Sequence, residues 1–308
     1  MTDEINVKWP ERPYKKREEI ISKQLLKIIL GPTAVGKTDY AIQEALSAGS
    51  PVISCDSRQI FREMTIGTAV PDASQLAAVK HYFIHTRSVT EPYTAGMYEL
   101  DAIALIESLF AQGHETLIMA GGSMFYIDAV CRGLDDLPPG DPQIRSELAG
   151  RLADEGVESL ARQLSELDPV TYDEIDVSNG RRVIRALEVC LATGKPLSSY
   201  KTRTPKQRSF DIVKIGLRRQ RDDLRERISA RTGHMFEEGL EDEVRSLLPY
   251  RGLTALDTVG YKEMFSYLDG ECTLQQAKEA ICSHTWNYAR RQMTWWKRDP
   301  EIIWKDLT

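Results

Sequence analysis

Residues 25–48 read LLKIILGPTAVGKTDYAIQEALSA. A short apolar run (25–30) leads into Gly31-Pro32-Thr33-Ala34-Val35-Gly36-Lys37-Thr38, and Tyr40, Ala41, Ala45 and Ala48 then recur at helical spacing. Strand, glycine-bracketed loop and helix, in that order, are the context in which G-x-x-x-x-G-K-[ST] cradles phosphate. The glycines let backbone N–H groups turn inward at a helix N-terminus, Lys37 adds a point charge, and the Thr38 hydroxyl can hold Mg²⁺. Gly31 to Thr38 is therefore the expected diphosphate or nucleotide site, of the kind that also binds ATP, with Thr38 as the expected metal ligand.

PVISC (51–55), TLIMA (116–120) and FDIVKIGL (210–217) are further short apolar runs bounded by Pro, Gly or Asp, with helical stretches such as YELDAIALIESLFAQG between them. This alternation predicts an α/β fold of the P-loop NTPase kind, a parallel sheet flanked by helices on both faces. From 138 to 205 only helical periods occur, opened by PPGDP and closed by a polar Lys/Arg/Thr/Pro stretch. The expected organisation is thus an α/β core from 23–137 and 206–308 with an inserted all-helical domain at 138–205. Beyond 218 the chain again reads as mostly helical, and residues 1–22, with Trp9-Pro10 and Pro13, read as a polar extension.

The chain has 308 residues, 42% hydrophobic and 28% charged, with 40 Lys+Arg against 46 Asp+Glu and a formal net charge of −6. Disorder throughout is not expected of such a composition. No apolar run reaches the length of a membrane span, and the N-terminal residues mix both signs of charge without the apolar stretch of a signal peptide. Cysteines at 55, 131, 190, 272 and 282 are odd in number and widely spaced, which suggests neither a disulfide framework nor a C-x-x-C site and fits a reducing cytoplasm. The charge is segregated: Lys201 to Arg231 holds eleven basic residues against four acids, a local field suited to phosphates in an otherwise acidic protein. A solvated helix face with i,i+4 ion pairs is the plainer account of the same tract.

Asp56 falls just past the carboxyl end of the second apolar run, the edge of a parallel sheet where ligands bind, and is expected either to act on a ligand or to cap a helix. Gly121-Gly122-Ser123 again stands between a strand and a helix. His81 and His85 are four apart, but HYFIH is strand-like in composition and four strand steps separate the rings by ~13 Å, too far for chelation.

GPTAVGKT, DSRQIF, IGTA (66–69), GGSMFY (121–126), RRVIRALEV (181–189), TVGYKE (258–263) and YARRQMTWWKR (288–298), in this order and at these separations, resemble the bacterial tRNA dimethylallyltransferases from residue 25 to the end. The P-loop is widely shared; DS-x-Q after the second strand and the RRQ-x-TW ending are far more restrictive. The resemblance implies transfer of a dimethylallyl group from dimethylallyl diphosphate to N6 of the adenosine at tRNA position 37, beside the anticodon, with release of diphosphate. It implies that Asp56 is the base, that Thr38 carries Mg²⁺, and that Arg221 is a second cation at the diphosphate. It places tRNA contacts at Asp56, Ser57, Arg58, Gln59, Ser123 (usually Thr in the family), Arg145 and the stretch Arg181, Arg182, Val183, Ile184 and Arg185, with the anticodon stem-loop as partner, the protein acting as a monomer in the cytoplasm. Thr258 to Glu263 and Arg290-Arg291-Gln292 are further candidates for the same surface.

Gln59 has the groups for a bidentate pair with adenine, and the base must leave its stack to be alkylated. Trp286, Trp295, Trp296 and Trp304 fall near the end among cations, where packing on the sheet is the leading expectation and base stacking the other. Two departures from the family stand out: Val70 replaces the Lys that commonly follows IGTA, and no Cys follows Cys282, so the zinc finger of eukaryotic relatives is absent. Other classes share parts of this pattern. A small-molecule or nucleoside kinase has the same loop and acid, a relative acting on free adenosine phosphates has the same chemistry, and a nucleotide-gated RNA-binding module needs no base at all.

Overall fold

The computed structural model describes residues 24–202 and 204–307, so the expected extension at 1–22 lies outside the described residues. Among these, six strands form one sheet: β1 (Leu25–Leu30), β2 (Val52–Ser54), β3 (His81–Tyr82), β4 (Thr116–Gly121), β5 (Asp211–Arg218) and β6 (Ile302–Asp306). The order is β3-β2-β4-β1-β5-β6 and every pairing is parallel, as the alternating pattern predicts. β1 is central, with Leu25 opposite Thr116 on one side and Asp211 on the other.

Period-two alternation splits the strand residues between two cores. Leu26, Ile28, Leu30, Leu117 and Met119 face α3 (Ala95–Ala111), α4 (Met124–Arg132) and Trp296. Ile29, Ile118, Ile215 and Leu217 face α1 (Lys37–Ala48), α9 (Arg221–Glu237) and Ala289 of α12 (Leu274–Trp296). A third cluster joins Ile60, Phe61 and Met64 to α10 (Leu240–Ser246), α11 (Tyr261–Leu268) and the first half of α12. The remaining helix of this part, α2 (Ala73–Ala78), starts on an Asp72/Gln75 capping box.

The chain divides into two compact units, one running to Cys131 and resuming at Arg208, the other Arg132–Gln207. The second contains α5 (Pro142–Glu155), α6 (Val157–Leu167), α7 (Pro169–Glu174) and α8 (Gly180–Thr193), packed around Leu148, Leu160, Leu164, Val183 and Leu187. The helical stretch expected at 138–205 falls within these bounds.

The region past 218 is mostly helical, as expected, but it ends in a strand: IIWKD forms β6, an edge strand beside β5, held at its base by the Lys214 ammonium between Asp299 (2.5 Å) and Glu301 (2.9 Å). Only Ile302 of that strand is buried, so its composition carries little strand signal. HYFIH is extended only over 81–82, since Phe83 and His85 take positive φ (61° and 54°), and the two rings have different partners, the Val79 carbonyl and the Thr65 hydroxyl. No described helix is long and apolar enough to cross a membrane.

Candidate active site

Because all strands run parallel, the loops after β1, β2 and β4 emerge at one edge of the sheet. The first is the glycine-bracketed loop. Gly31 (φ 152°) passes so close to β5 that a Cβ there would lie 2.6 Å from the Leu217 carbonyl oxygen, and Gly36 (φ 105°) caps α1 in a conformation that L side chains disfavour. Val35 points into the core, leaving Thr33, Ala34, Gly36, Lys37 and Thr38 half-exposed at the helix N-terminus.

Lys37 donates to the carbonyls of Gly31 and Pro32, both at 2.9 Å. Burial of its ammonium, reinforced by the neighbouring Arg231 charge and opposed by Asp56, lowers its pKa from 10.5 to about 8. The Arg231 guanidinium is likewise pushed down by burial and held up by Asp56, so these three charges feel one another across the site.

After β2, Asp56 Oδ1 accepts from the N–H groups of Arg58 (2.9 Å) and Gln59 (3.3 Å), a capped turn that leaves Oδ2 without a donor among the described residues. Asp56 therefore caps a turn and not the expected helix, since the next helix begins only at Ala73, and its second oxygen faces no donor among the described residues. The loop after β4 meets this turn, where Ser123 Oγ accepts from Ser57 N–H at 2.8 Å and lies 3.1 Å from Ser57 Oγ. Ser57 and Ser123, 66 residues apart, are therefore one local surface. Arg58 reaches the Thr254 carbonyl at 3.2 Å.

Several expected residues sit differently. Arg221, in the first turn of α9, lies over the Trp286 ring at 5.8 Å, with Arg225 over the same ring at 4.7 Å, and neither bonds to the loop. The arginines that meet the loop are Arg219 (to Val35 O, 2.9 Å), Arg227 (to Ala34 O, 2.8 Å) and Arg231 (to Thr33 Oγ1, 3.1 Å). Helical geometry separates the two sets: Arg227 and Arg231 are four apart on one face, and Arg221 stands about 120° and 80° round from them. Gln59 spends its amide N–H groups on the carbonyls of Thr68 (3.2 Å) and Ala69 (2.9 Å), which ties it to the IGTA loop instead of offering it to a base. Gln292 is buried in the protein and does not join a surface with Arg290 and Arg291, which are exposed.

The IGTA loop is anchored in turn. Glu243 accepts from the N–H groups of Thr65 (2.9 Å), Ile66 (2.7 Å) and Gly67 (2.9 Å) and from the Tyr261 hydroxyl (2.7 Å). Tyr261 and Gly260 of TVGYKE therefore support this loop, with Glu263 accepting Gly260 N–H at 2.7 Å. The tryptophans mostly pack: Trp296 is buried, Trp295 donates to Asp128 at 2.9 Å, and Trp304 lies against the sheet core.

In the helical unit, Arg145 and Arg185 converge on the fully buried carboxylate of Glu188 at 3.0 and 2.9 Å, and Arg185 also donates to the Pro138 carbonyl at 2.8 Å. Arg181 and Arg182 are exposed on the first turn of α8. Val183 and Ile184 are 0% and 9% exposed, and the helix's amphipathic period turns their side chains into the core of this unit, so the expected RNA-facing groups of this stretch are its arginines.

For a metal, no cluster of three or more His, Cys, Asp or Glu exists among the described residues. The donors at the loop, the Thr38 hydroxyl and carboxylate oxygen, are hard oxygens, which fits Mg²⁺ held by few protein ligands plus substrate phosphates and water.

A family model described as IPP transferase matches residues 59–299. The chain belongs to the IPP transferase family. It is 50% identical over 279 residues to tRNA dimethylallyltransferase 2 of Parabacteroides distasonis, covering 91% of this chain and 93% of that one. It is equally 50% identical, with the same coverage, to tRNA dimethylallyltransferase 2 of Porphyromonas gingivalis. Among solved structures it resembles the full-length tRNA isopentenylpyrophosphate transferase of Bacillus halodurans (34% identity, TM-score 0.67, 92% of this chain and 90% of that one). A eukaryotic dimethylallyltransferase solved acting on tRNA shares the fold at TM-score 0.77 and 23% identity, over 92% of this chain and 74% of that one.

For an IPP transferase, the residues to which the sequence assigned no individual role are Arg219, Arg227, Arg231 and Glu243, while Gln292 was expected on the tRNA surface and is buried instead. The i,i+4 spacing of Arg227 and Arg231 inside the basic tract was a usable signal for the pair. Nothing in one sequence marks Glu243 as the carboxylate under the IGTA loop or Gln292 as buried.

Proposed function

We propose that this chain transfers a dimethylallyl group from dimethylallyl diphosphate to N6 of the adenosine at tRNA position 37 and releases diphosphate. Besides membership in the family, one observation carries the proposal: a phosphate-type loop with Lys37, the Arg231 guanidinium on Thr33, and an Asp56 oxygen without a donor among the described residues stand at the same edge of the sheet.

In the proposed reaction the adenine N6 lone pair forms a bond to C1 of the allyl group while the C1–O bond breaks and its electron pair leaves with the diphosphate. Asp56 Oδ2 takes the N6 proton, which keeps the attacking nitrogen from accumulating positive charge. Lys37, Arg231 and the N–H groups at the start of α1 stabilise the charge that grows on the departing oxygen. Mg²⁺, held at Thr38, is the proposed ion and would neutralise further charge on the diphosphate. Arg231 takes the role first expected of Arg221, because of the three arginines that reach the loop it is the one that meets a loop side chain, and its charge is coupled to Asp56.

tRNA recognition is proposed to use Ser57, Arg58 and Ser123 in the core and Arg145, Arg181, Arg182 and Arg185 in the helical unit, with Gln59 acting by bracing the IGTA loop. Action as a monomer in the cytoplasm belongs to the same reading. The relatives reported above include no kinase, so the alternative has no support beyond the shared loop.

The deciding experiment incubates the protein with labelled dimethylallyl diphosphate and unmodified tRNA, then maps the label by nuclease digestion and mass spectrometry. Label on the adenosine 3′ of the anticodon is expected; label elsewhere, or phosphate transfer from ATP in place of prenyl transfer, defeats the assignment.

A further inference from the structure

We infer that Gln292 is a positioning residue for the diphosphate loop, locking it to the turn after β4; this rests on the transferase reading above. Gln292 lies near the end of α12 and is 1% exposed. Its Oε1 accepts the Thr33 N–H at 2.9 Å and its Nε2 donates to the Gly122 carbonyl at 2.7 Å. A single side chain thus bridges points 259 and 170 residues away in the chain, one in each loop of the site.

The chemistry selects the residue type. Thr33 N–H can only donate and the Gly122 carbonyl can only accept, so the bridge needs an acceptor and a donor on one head group. A carboxylate offers two acceptors, an ammonium only donors, and asparagine is a methylene short. Gly122 is matched to this amide: a Cβ there would stand 2.6 Å from Gln292 Nε2 and 3.7 Å from Lys37 Nζ. Tyr288, one turn earlier on α12, donates to the same carbonyl at 3.3 Å.

The consequence for catalysis is twofold. With its N–H committed to Gln292, Thr33 is not among the loop's phosphate donors, which begin beyond it. The same amide also sets where the leaving group lies relative to the Ser57–Ser123 contact and Asp56, because it ties the loop to the turn that carries Ser123. Displacement by even an ångström at such a site costs rate steeply.

The test uses Gln292→Met, which keeps the bulk and loses both hydrogen bonds, Gln292→Glu, which keeps only the acceptor, and Gly122→Ala, which presses on Nε2 with Gln292 intact. Three constants are measured on the full chain: Kd for inorganic pyrophosphate with Mg²⁺ by calorimetry, KM for dimethylallyl diphosphate, and Kd for tRNA by filter binding. All three variants are expected to raise the first two by about tenfold or more and to leave the tRNA constant within about twofold. Weakened tRNA binding with unchanged pyrophosphate binding would make Gln292 an RNA contact and overturn the proposal, as would constants that do not move. Failure of all three variants to fold also overturns it, since the role is then one of packing. A wild-type protein that binds pyrophosphate but transfers no prenyl group sinks the transferase reading alone, and the pyrophosphate constants still decide the role of Gln292.

Discussion

Arg231 donates from Nη1 to the hydroxyl of Thr33 at 3.1 Å, joining α9 to the phosphate loop across 198 residues of chain. Arg221, ten residues earlier, faces Trp286 instead. If the guanidinium beside the loop stabilises the leaving group, Arg231→Ala should lower kcat for prenyl transfer by about 10²-fold, on the scale of losing one preorganised charge donor. Arg221→Ala should stay within about fivefold of wild type, as expected of a group outside the reacting site. Steady-state transfer assays on the two variants check this, and the reverse ranking would restore Arg221.

Lys37 titrates near pH 8 in the free protein because burial and Arg231 disfavour its charge. Diphosphate favours the ammonium, so binding takes up a proton above that pH. The dissociation constant for dimethylallyl diphosphate should therefore worsen as pH rises past about 8, approaching tenfold per unit. Folding stability has the opposite sign: the unfolded lysine keeps its proton up to its ordinary pKa of 10.5, so the cost of burying the charge is relieved between about 8 and 10.5 as pH rises. Lys37→Arg, always charged, should flatten the affinity profile. A profile equally steep in that variant would assign the titration to another group.

Asp56 caps a turn and is the proposed base, and substitutions can separate the two roles. Asp56→Asn retains an acceptor for the Arg58 and Gln59 N–H groups but cannot take a proton at a carboxylate oxygen. It should lose about 10²-fold or more in kcat with its melting temperature nearly unchanged, whereas Asp56→Ala should lose both activity and about 1 kcal/mol of stability. Near-wild-type turnover in the Asn variant would exclude Asp56 as the base.

Arg145 and Arg185 share the buried Glu188 carboxylate. Arg145→Ala should weaken tRNA binding and reduce the slope of log K against log salt by about one. Since the Arg145 side chain is 57% exposed, its loss should cost less than about 1 kcal/mol of stability, and Arg185→Ala, at 33% exposure, more. Filter binding across a salt series with parallel denaturation measures both quantities.

Gly67 approaches the Tyr261 ring so closely that a Cβ would lie 2.7 Å from two ring atoms. Gly67→Ala should destabilise the core unit by about 1–3 kcal/mol through overpacking and raise KM through the displaced IGTA loop. Urea denaturation with an unchanged m-value is the expected signature.

Local chemistry made much of this legible. The loop at 31–38 announced itself because Gly, Gly, Lys and Thr at fixed offsets are demanded by backbone geometry and charge, and the strand–helix alternation followed from short apolar runs bounded by turn residues with helical periods between them. Asp56 could be placed at the site edge because parallel strands all end on the same side. β6 escaped notice because an edge strand with one buried residue looks like a polar tail.

Taken alone, the order of residues determined the sheet class, the glycine-bracketed loop, the helical stretch between strands and the acid at position 56, since each is written in a contiguous segment. Tertiary packing decided which members of the basic tract serve the loop. Rotation of α9 about its axis is set by Leu224 and Ile228 seeking the core, and that rotation turns Arg227 and Arg231 toward Ala34 and Thr33 while Arg221 and Arg225 turn to Trp286. Packing likewise buried Gln292 between two loops: an amide has the same hydrogen-bonding groups in water and in a core, and only the partners brought to it by the fold define what it does.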